Sequence, residues 1–457
     1  MTKHMLLCQI GPVQSFIAQA RRTQDLYIGS YMLSTLAGAG VRAAANFGGN
    51  FHPIFPDVQA DRAGRYTIIP EGVPNRFCFI SDADPATLAN QIRKAIKDHW
   101  QRQFVNPVQE FLLDEKVGGS WQQELEDQMQ DWMEFYWVAL DYDESQHGDT
   151  YRRASLALEQ RKNVCHYPIL DGQSGVKCSL TGMQAALNLD WEQLRGTFPH
   201  NQQEMVFRSN ERLGSMALVK RITLRTEVEK LRAEKTGVSG RKIHSTTAIA
   251  ANKKGVDEEP SDKKDVFGYV AVLHMDGDSM GKTIAARQRR DEHQNISRRL
   301  TDFAKRAKEI VQDPKYGGDT GTFVYSGGDD VLALLPLRFV LSCAMELEKE
   351  FRRIVQITTI SGGIAITPEN LPLDMALELS RQAESRAKDN RKKGGFGRNA
   401  VVITEAHGSG QLRYAGANWE VIPHLLTLQK AFGVEPSDIP DLSGKLAYVL
   451  LEFDTYM

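Results

Sequence analysis

Between residues 263 and 405 the apolar positions change period in a regular order. Tyr269-Val-Ala-Val-Leu-His-Met275 is an apolar run of strand length, and a helical pattern covers about 283–312. Strands are expected over 322–325 and 331–335, with a polar turn between them. A helix around 338–354, a strand over 357–366, an amphipathic helix near 372–391 and a short strand over 400–403 follow. The order β-α-β-β-α-β is that of a ferredoxin-like domain, whose helices cover one sheet face. Ser361-Gly-Gly-Ile-Ala-Ile366 falls on a central strand, where the glycines either mark a bulge or admit a ligand.

Elsewhere the pattern is less regular. The segment 149–262 reads as largely helical and ends in the charged stretch 251–265, which lacks apolar periodicity and reads as a linker. From about 406 the pattern is helical, with Leu425, Leu426 and Leu428 and later 446–451 packing within the chain or on a neighbouring subunit. A length of 457 residues allows two to four domains, and 41% hydrophobic residues suffice for their cores. No apolar run reaches membrane-spanning length, and 6–10 is too short for a signal core, so a cytoplasmic protein is expected. The formal charge of −2 gives no argument for bare nucleic-acid binding. Basic clusters at 287–290, 298–306 and 386–398 would attract phosphates or form solvated helix faces.

Candidate chemistry concentrates in the turn Tyr325-Ser326-Gly327-Gly328-Asp329-Asp330. Adjacent carboxylates on a tight turn point to a divalent metal, and Gly327 and Gly328 beside Ser326 let a polyphosphate approach the backbone; an ordinary Gly-Asp hairpin would carry the same residues. A second acid, Asp276, ends the strand at 269–275. If that strand lies beside the hairpin, Asp276, Asp329 and Asp330 converge on one sheet edge, as a pair of Mg²⁺ or Mn²⁺ ions requires. Asp278, Ser279 and Lys282 lie on the following strand-to-helix loop, where backbone N–H groups would cradle phosphates; a surface role suits Lys282 equally. Cys8, Cys78, Cys165, Cys178 and Cys343 are scattered and odd in number, against a disulfide framework.

With these motifs stand Gly11-Pro-Val-Gln-Ser-Phe-Ile-Ala-Gln-Ala-Arg21 running on to Gly29-Ser30-Tyr-Met-Leu-Ser34, then Val73-Pro-Asn-Arg-Phe77, Leu213-Gly-Ser-Met-Ala-Leu-Val-Lys220-Arg221, His244-Ser-Thr-Thr-Ala-Ile249 and Leu442-Ser-Gly-Lys-Leu-Ala-Tyr448. In this order they resemble the large palm-containing subunit of type III CRISPR effector complexes, in its Cmr form, over nearly the whole chain. The resemblance implies an α+β protein with two ferredoxin-like palms, a helical middle domain and a helical C-terminal domain. The domains expected are a first palm at 1–148 without an acidic hairpin, a middle domain at 149–262, a second palm at 263–405 and a C-terminal domain at 406–457. The first palm would use strands at 6–10, 76–81 and 135–140, with a helix entered at Pro12.

The resemblance also implies an activity: synthesis of a cyclic oligoadenylate from ATP, switched on when the assembled complex pairs its guide RNA with target RNA. Asp276, Asp329 and Asp330 would then be catalytic and metal-binding, and Lys388 would face the nucleotide phosphates. Ser30, with Gly29, matches a nucleotide-facing stretch, although a small pair also suits close packing of two helical segments. The partners implied are the other subunits of the complex, the guide and the target RNA. Two departures matter. The chain has no His-Asp dipeptide, so the nuclease activity of many members is not expected. Only Cys165, His166 and Cys178 stand where relatives carry a zinc cluster, and a closed zinc site needs four ligands, so zinc is not expected. A silent scaffold holding guide and target, or a palm joining AMP to another adenosine-bearing acceptor, would share most of these residues. A diguanylate-type synthase fits less well, because Val331 follows Asp330 where that pattern has an acid.

Overall fold

A computed structural model describes residues 2–48, 50–60, 66–67, 73–130, 132–163, 175–182, 184–200, 203, 206–223, 243–251, 268–391, 394–408 and 410–432. Two ferredoxin-like lobes face each other. The first contains strand β1 (His4–Gly11), helix α1 (Thr23–Asn46), β2 (Phe51–Phe55), β3 (Arg76–Ser81), α2 (Pro85–Trp100) and β4 (Glu134–Asp141). Its sheet order is β2-β3-β1-β4 and every neighbouring pair is antiparallel. Alternation along β1 divides the core: Leu6, Cys8 and Ile10 face α1 and α2, whereas Met5 and Leu7 face Tyr151, Ala154 and Leu158 of α3 (His147–Lys162). Helix α3 therefore belongs to the first palm's packing, and the boundary expected at 148/149 falls within its first turn.

The second lobe contains β5 (Tyr269–Gly277), α4 (Met280–Ala285), α5 (Arg290–Gln312), β6 (Thr322–Ser326), β7 (Val331–Pro336), α6 (Leu337–Ile354), β8 (Ile360–Pro368), α7 (Leu373–Lys388), β9 (Ala400–Ala406) and β10 (Leu412–Asn418). Strand order is β10-β9-β8-β5-β7-β6, with only β8 and β9 parallel. Ala271, Leu273, Met275, Val331 and Ala333 pack on α5 and α6, and the alternate residues Val270, Val272, Leu332 and Leu334 face α7 and the first lobe. Both faces of this sheet are thus buried, which explains why β5 and β7 read as continuous apolar runs.

Two details differ from the sequence reading. The helical pattern over 283–312 is broken between α4 and α5. The segment from 406 is not wholly helical: β10 pairs with β9 in register Ala400↔Asn418 to Ala406↔Leu412, and only then does helix α8 (Ile422–Ala431) begin. The boundary at 405/406 cuts this hairpin. Its second strand is missed because β10 lies at the sheet edge, its residues exposed or half-buried, and so carries no period-two apolar signal.

The lobes meet through a chain of buried groups. Tyr142 donates to His147 Nδ1 (3.0 Å), His147 Nε2 meets His293 Nδ1 (2.9 Å), and His293 Nε2 donates to the Ile284 carbonyl (2.8 Å). Both rings are inaccessible to solvent. Since His293 Nε2 must carry a proton, His147 is the donor between the rings and both are neutral. Burial, with the neighbouring His293, holds His147 down to about 4.

Candidate functional site

Register brings the acids together. Met275 of β5 pairs with Val331 of β7, so the next residues along each strand, Asp276 and Asp330, stand opposite at the sheet end, with Gly277 opposite Asp329. A Cβ on Gly277 would lie 2.8 Å from Asp329 Oδ2, so only glycine leaves room for that carboxylate. In the turn, Gly327 N–H donates to the Asp330 carbonyl (2.9 Å) and Gly328 adopts φ +84°, a conformation suited to glycine. A Cβ on Gly327 would meet nothing within 4 Å, so its backbone is open to approach.

The environment of each acid is distinct. Asp330 accepts a hydrogen bond from the Tyr325 hydroxyl at Oδ2 (2.7 Å), and His274 Nε2 stands 3.1 Å from Oδ1, off the hydrogen-bonding axis. Asp276 receives the ammonium of Lys388, which also pairs with Glu384 (2.7 Å) one turn earlier on α7. Burial, then the charges of Asp276 and Asp330, push the Asp329 carboxyl up to about 8. Burial, then Asp330, push Asp276 up to about 6, although Lys388 works the other way. Burial opposes the charged forms of His274 and Lys388, but Asp330 for the first and Asp276 for the second outweigh it, and both titrate above their ordinary values. Among the described residues no three His, Cys, Asp or Glu side chains are gathered in the geometry of a metal site; Asp330 faces Tyr325 and His274, and Lys388 takes Asp276.

The other residues singled out in the sequence have varied placements. Asp278 is buried and turned inward, accepting from Ser361 Oγ (2.8 Å), Thr359 Oγ1 (2.5 Å) and Asn399 N–H (3.0 Å). It braces the strand-to-helix turn and is not presented to a phosphate. Ser279 takes a left-handed conformation at the start of α4, and Lys282 is exposed on that helix. Gly363 resolves the choice left open for the glycine pair: β8 runs unbroken against β5 from Ile360 to Pro368, so there is no bulge, and the space above Gly363 is filled by the backbone of α7. Cys8, Cys78, Cys178 and Cys343 are buried and free; Cys165 and His166 lie outside the described residues, as does the stretch 442–448.

A cavity of about 480 Å³ opens between the lobes at this rim. Tyr325, Ser326, Gly327 and Asp330 line it from the hairpin, Arg381 from α7, and Ser30, Leu33 and Ser34 from α1. Gly11, Pro12, Val13, Gln14 and Ile17 form another wall. The sequence reading assigned no role to His274, Tyr325, Arg381 or Glu384. Arg381, Glu384 and Lys388 share one face of α7 at i, i+3, i+7, which was the available signal.

Comparison with known proteins follows the same arrangement. The family described as Cas10/Cmr2, second palm domain, matches residues 269–399, and that described as CRISPR-associated protein Cmr2, N-terminal, matches residues 5–105. The chain belongs to the Cas10/Cmr2 family. It is similar to the CRISPR system Cmr subunit Cmr2 of Pyrococcus furiosus, 22% identical over 570 residues, covering 92% of this chain and 63% of that relative. The chain thus spans less than two thirds of the length of this Cmr2 relative. Among solved structures, a type III-B Cmr-beta complex bound to cognate target RNA superposes with a TM-score of 0.67 at 12% identity, covering 100% of this chain and 76% of that one. A Csm1–Csm4 cassette in complex with pppApA superposes with a TM-score of 0.55 at 13% identity, covering 99% and 62%. Both matched family regions contain walls of the cavity, the first through Asp330 and Arg381 and the second through Ser30 and Pro12.

Proposed function

We propose that the chain is the large subunit of an RNA-guided type III CRISPR complex and joins ATP molecules into a cyclic oligoadenylate at the inter-palm cavity. The observation that carries this reading is the register that sets Asp276 opposite Asp330, with Asp329 against Gly277, beside a cavity that Asp330 lines and whose opposite wall comes from the first palm. Asp276, Asp329 and Asp330 offer the oxygen donors that Mg²⁺ or Mn²⁺ prefers, and a divalent cation would favour the ionised forms of Asp276 and Asp329, which burial disfavours. When bound, such ions lower the pKa of an attacking ribose hydroxyl and stabilise charge on the α-phosphate. The chain's own groups do the rest. Lys388 would release Asp276 to the metal and turn to the phosphates as a point charge, while Glu384 keeps its ammonium in place. The open backbone at Gly327 admits the triphosphate, and Tyr325 fixes Asp330. Ser30 and the wall from Gly11 to Ile17 would hold the acceptor nucleotide. The new bond joins ribose oxygen to α-phosphorus, and pyrophosphate leaves with its oxygen. That a protein of the same fold is found with pppApA, the linear product of one such joining, supports this chemistry.

A silent scaffold holding guide and target RNA is the second reading, favoured by the ion pair between Lys388 and Asp276. The test is to incubate the assembled complex, target RNA, Mg²⁺ or Mn²⁺ and labelled ATP, and identify products by mass. Cyclic adenylates that disappear in Asp329→Asn are expected. No product with any nucleotide would leave the scaffold; a linear AMP adduct of another metabolite would replace the acceptor.

A further inference from the structure

Lys220 is 1% exposed and belongs to the middle segment, on the helix formed by 215–223. Its ammonium donates to the carbonyls of Phe16 and Gln19 (3.3 Å for the second) and sits 4.0 Å from the centroid of the Phe16 ring. Those residues close the short helix Gln14–Ala18, which continues the cavity wall formed by Val13, Gln14 and Ile17. A Cβ on Gly29 would lie 3.5 Å from Lys220 Cε and 3.6 Å from Ile17 Cα, so α1, the wall and Lys220 meet at one point. The neighbouring Arg221 anchors the same helix, with Nη2 donating to Asp25 Oδ2 (2.9 Å) and Nη1 to the Val206 carbonyl (2.7 Å). Burying an ammonium here costs free energy, which the two carbonyls and the Phe16 ring offset in part.

We propose that Lys220 is a positioning residue for the inter-palm cavity: it pins the wall at Val13–Gln19 from behind, so that the wall opens only when the Lys220 ammonium is hydrated. The nucleotide consequence rests on the function proposed above; the clamp itself does not. The charged groups facing Lys220 are Asp25 from α1 and, around it, Arg221, Arg22 and Glu211. The stretch 13–20 contributes no titratable side chain. Burial brings the Lys220 amine down to about 7, against the partial support of Asp25, whereas a wall-open state returns it to an ordinary lysine. The open state therefore binds one more proton than the closed state above pH 7. Raising the pH makes opening rarer, by about tenfold per unit between roughly pH 7.5 and 9, and leaves it constant below about 6.5.

The test is amide hydrogen exchange of residues 13–20 in the full chain from pH 6 to 9, corrected for intrinsic rates, on wild type and Lys220→Met, with a fluorescent ATP analogue titrated in parallel. Expected is protection that climbs with pH in wild type and is flat in K220M, with analogue affinity following the same two courses. The wild-type series needs no variant, so misfolding of K220M cannot hide the answer. Wall protection that does not change with pH in wild type, or changes identically in K220M, would overturn the clamp. Wild-type protein that binds no analogue at any pH would overturn the cavity reading and the nucleotide half of the proposal, while the exchange profile still decides the clamp.

Discussion

Replacing Gly363 by alanine is expected to damage the site without touching any group that contacts substrate. The added Cβ would lie 2.1 Å from the Ser380 carbonyl oxygen, 2.3 Å from Glu384 N and 2.9 Å from Glu384 Cα, all backbone atoms of α7. No side-chain rotation relieves these contacts, so the helix has to retreat from β8 by roughly 1 Å to restore van der Waals distances. Overpacking of this kind costs about 1–3 kcal/mol, and rigid backbone on both sides places G363A at the upper end. For a lobe of this size that corresponds to a melting temperature lower by about 6–12 °C. Because α7 carries Arg381, Glu384 and Lys388, the same retreat pulls Lys388 from Asp276. A displacement near 1 Å in a positioned group reduces turnover by about 100-fold. The adjacent Gly362 is the control: its Cβ would stand 3.4 Å from Met275 and Trp419, ordinary contact, and G362A is expected to cost less than about 1.5 kcal/mol. Calorimetry on both variants, with ATP turnover by the assembled complex, measures the two effects. A G363A protein that melts within 2 °C of wild type, or a G362A protein equally damaged, would refute the argument.

Two further outcomes follow from the buried charges. His147, held near 4 in the fold against an ordinary value of 6.5, binds its proton more readily when unfolded, so stability is present above pH 6.5 and falls as pH drops toward 4. The loss is about 3 kcal/mol across that window, read from denaturant midpoints, and His147→Phe should flatten the acid limb of the profile. Asp25→Ala leaves the buried guanidinium of Arg221 only Glu211 and the Val206 carbonyl and is expected to cost about 3–5 kcal/mol, while Asp25→Asn, which keeps an oxygen acceptor for that guanidinium, is expected to cost less; equal melting of the two variants would contradict this.

Much of the second palm was legible because its strands are buried on both faces. The runs ending at Met275 and flanking the Asp329 turn had no other use, and the β-α-β-β-α-β order followed from them. In the first palm, β2 escaped because Pro53 interrupts it and only Ile54 of its residues is buried. The convergence of Asp276 with the hairpin was readable only as a condition, since pairing of β5 with β7 is a long-range fact. Asp278 was misplaced for a related reason: a buried carboxylate satisfied by Thr359, Ser361 and Asn399 looks in sequence like a solvent-facing loop acid. Tyr325 and His274 lie inside recognised runs, yet their contacts with Asp330 depend on tertiary register: for Tyr325 the bulged β6–β7 pairing near Phe323, and for His274 the β5–β7 pairing.

The most direct measurement is an anomalous scattering map of the protein crystallised with ATP and Mn²⁺. Manganese is expected within coordination distance of oxygens of Asp276 and of Asp329 or Asp330, with the Lys388 ammonium moved from Asp276 to a phosphate oxygen. Bound ATP with Lys388 still on Asp276 and no manganese at the three carboxylates would contradict it.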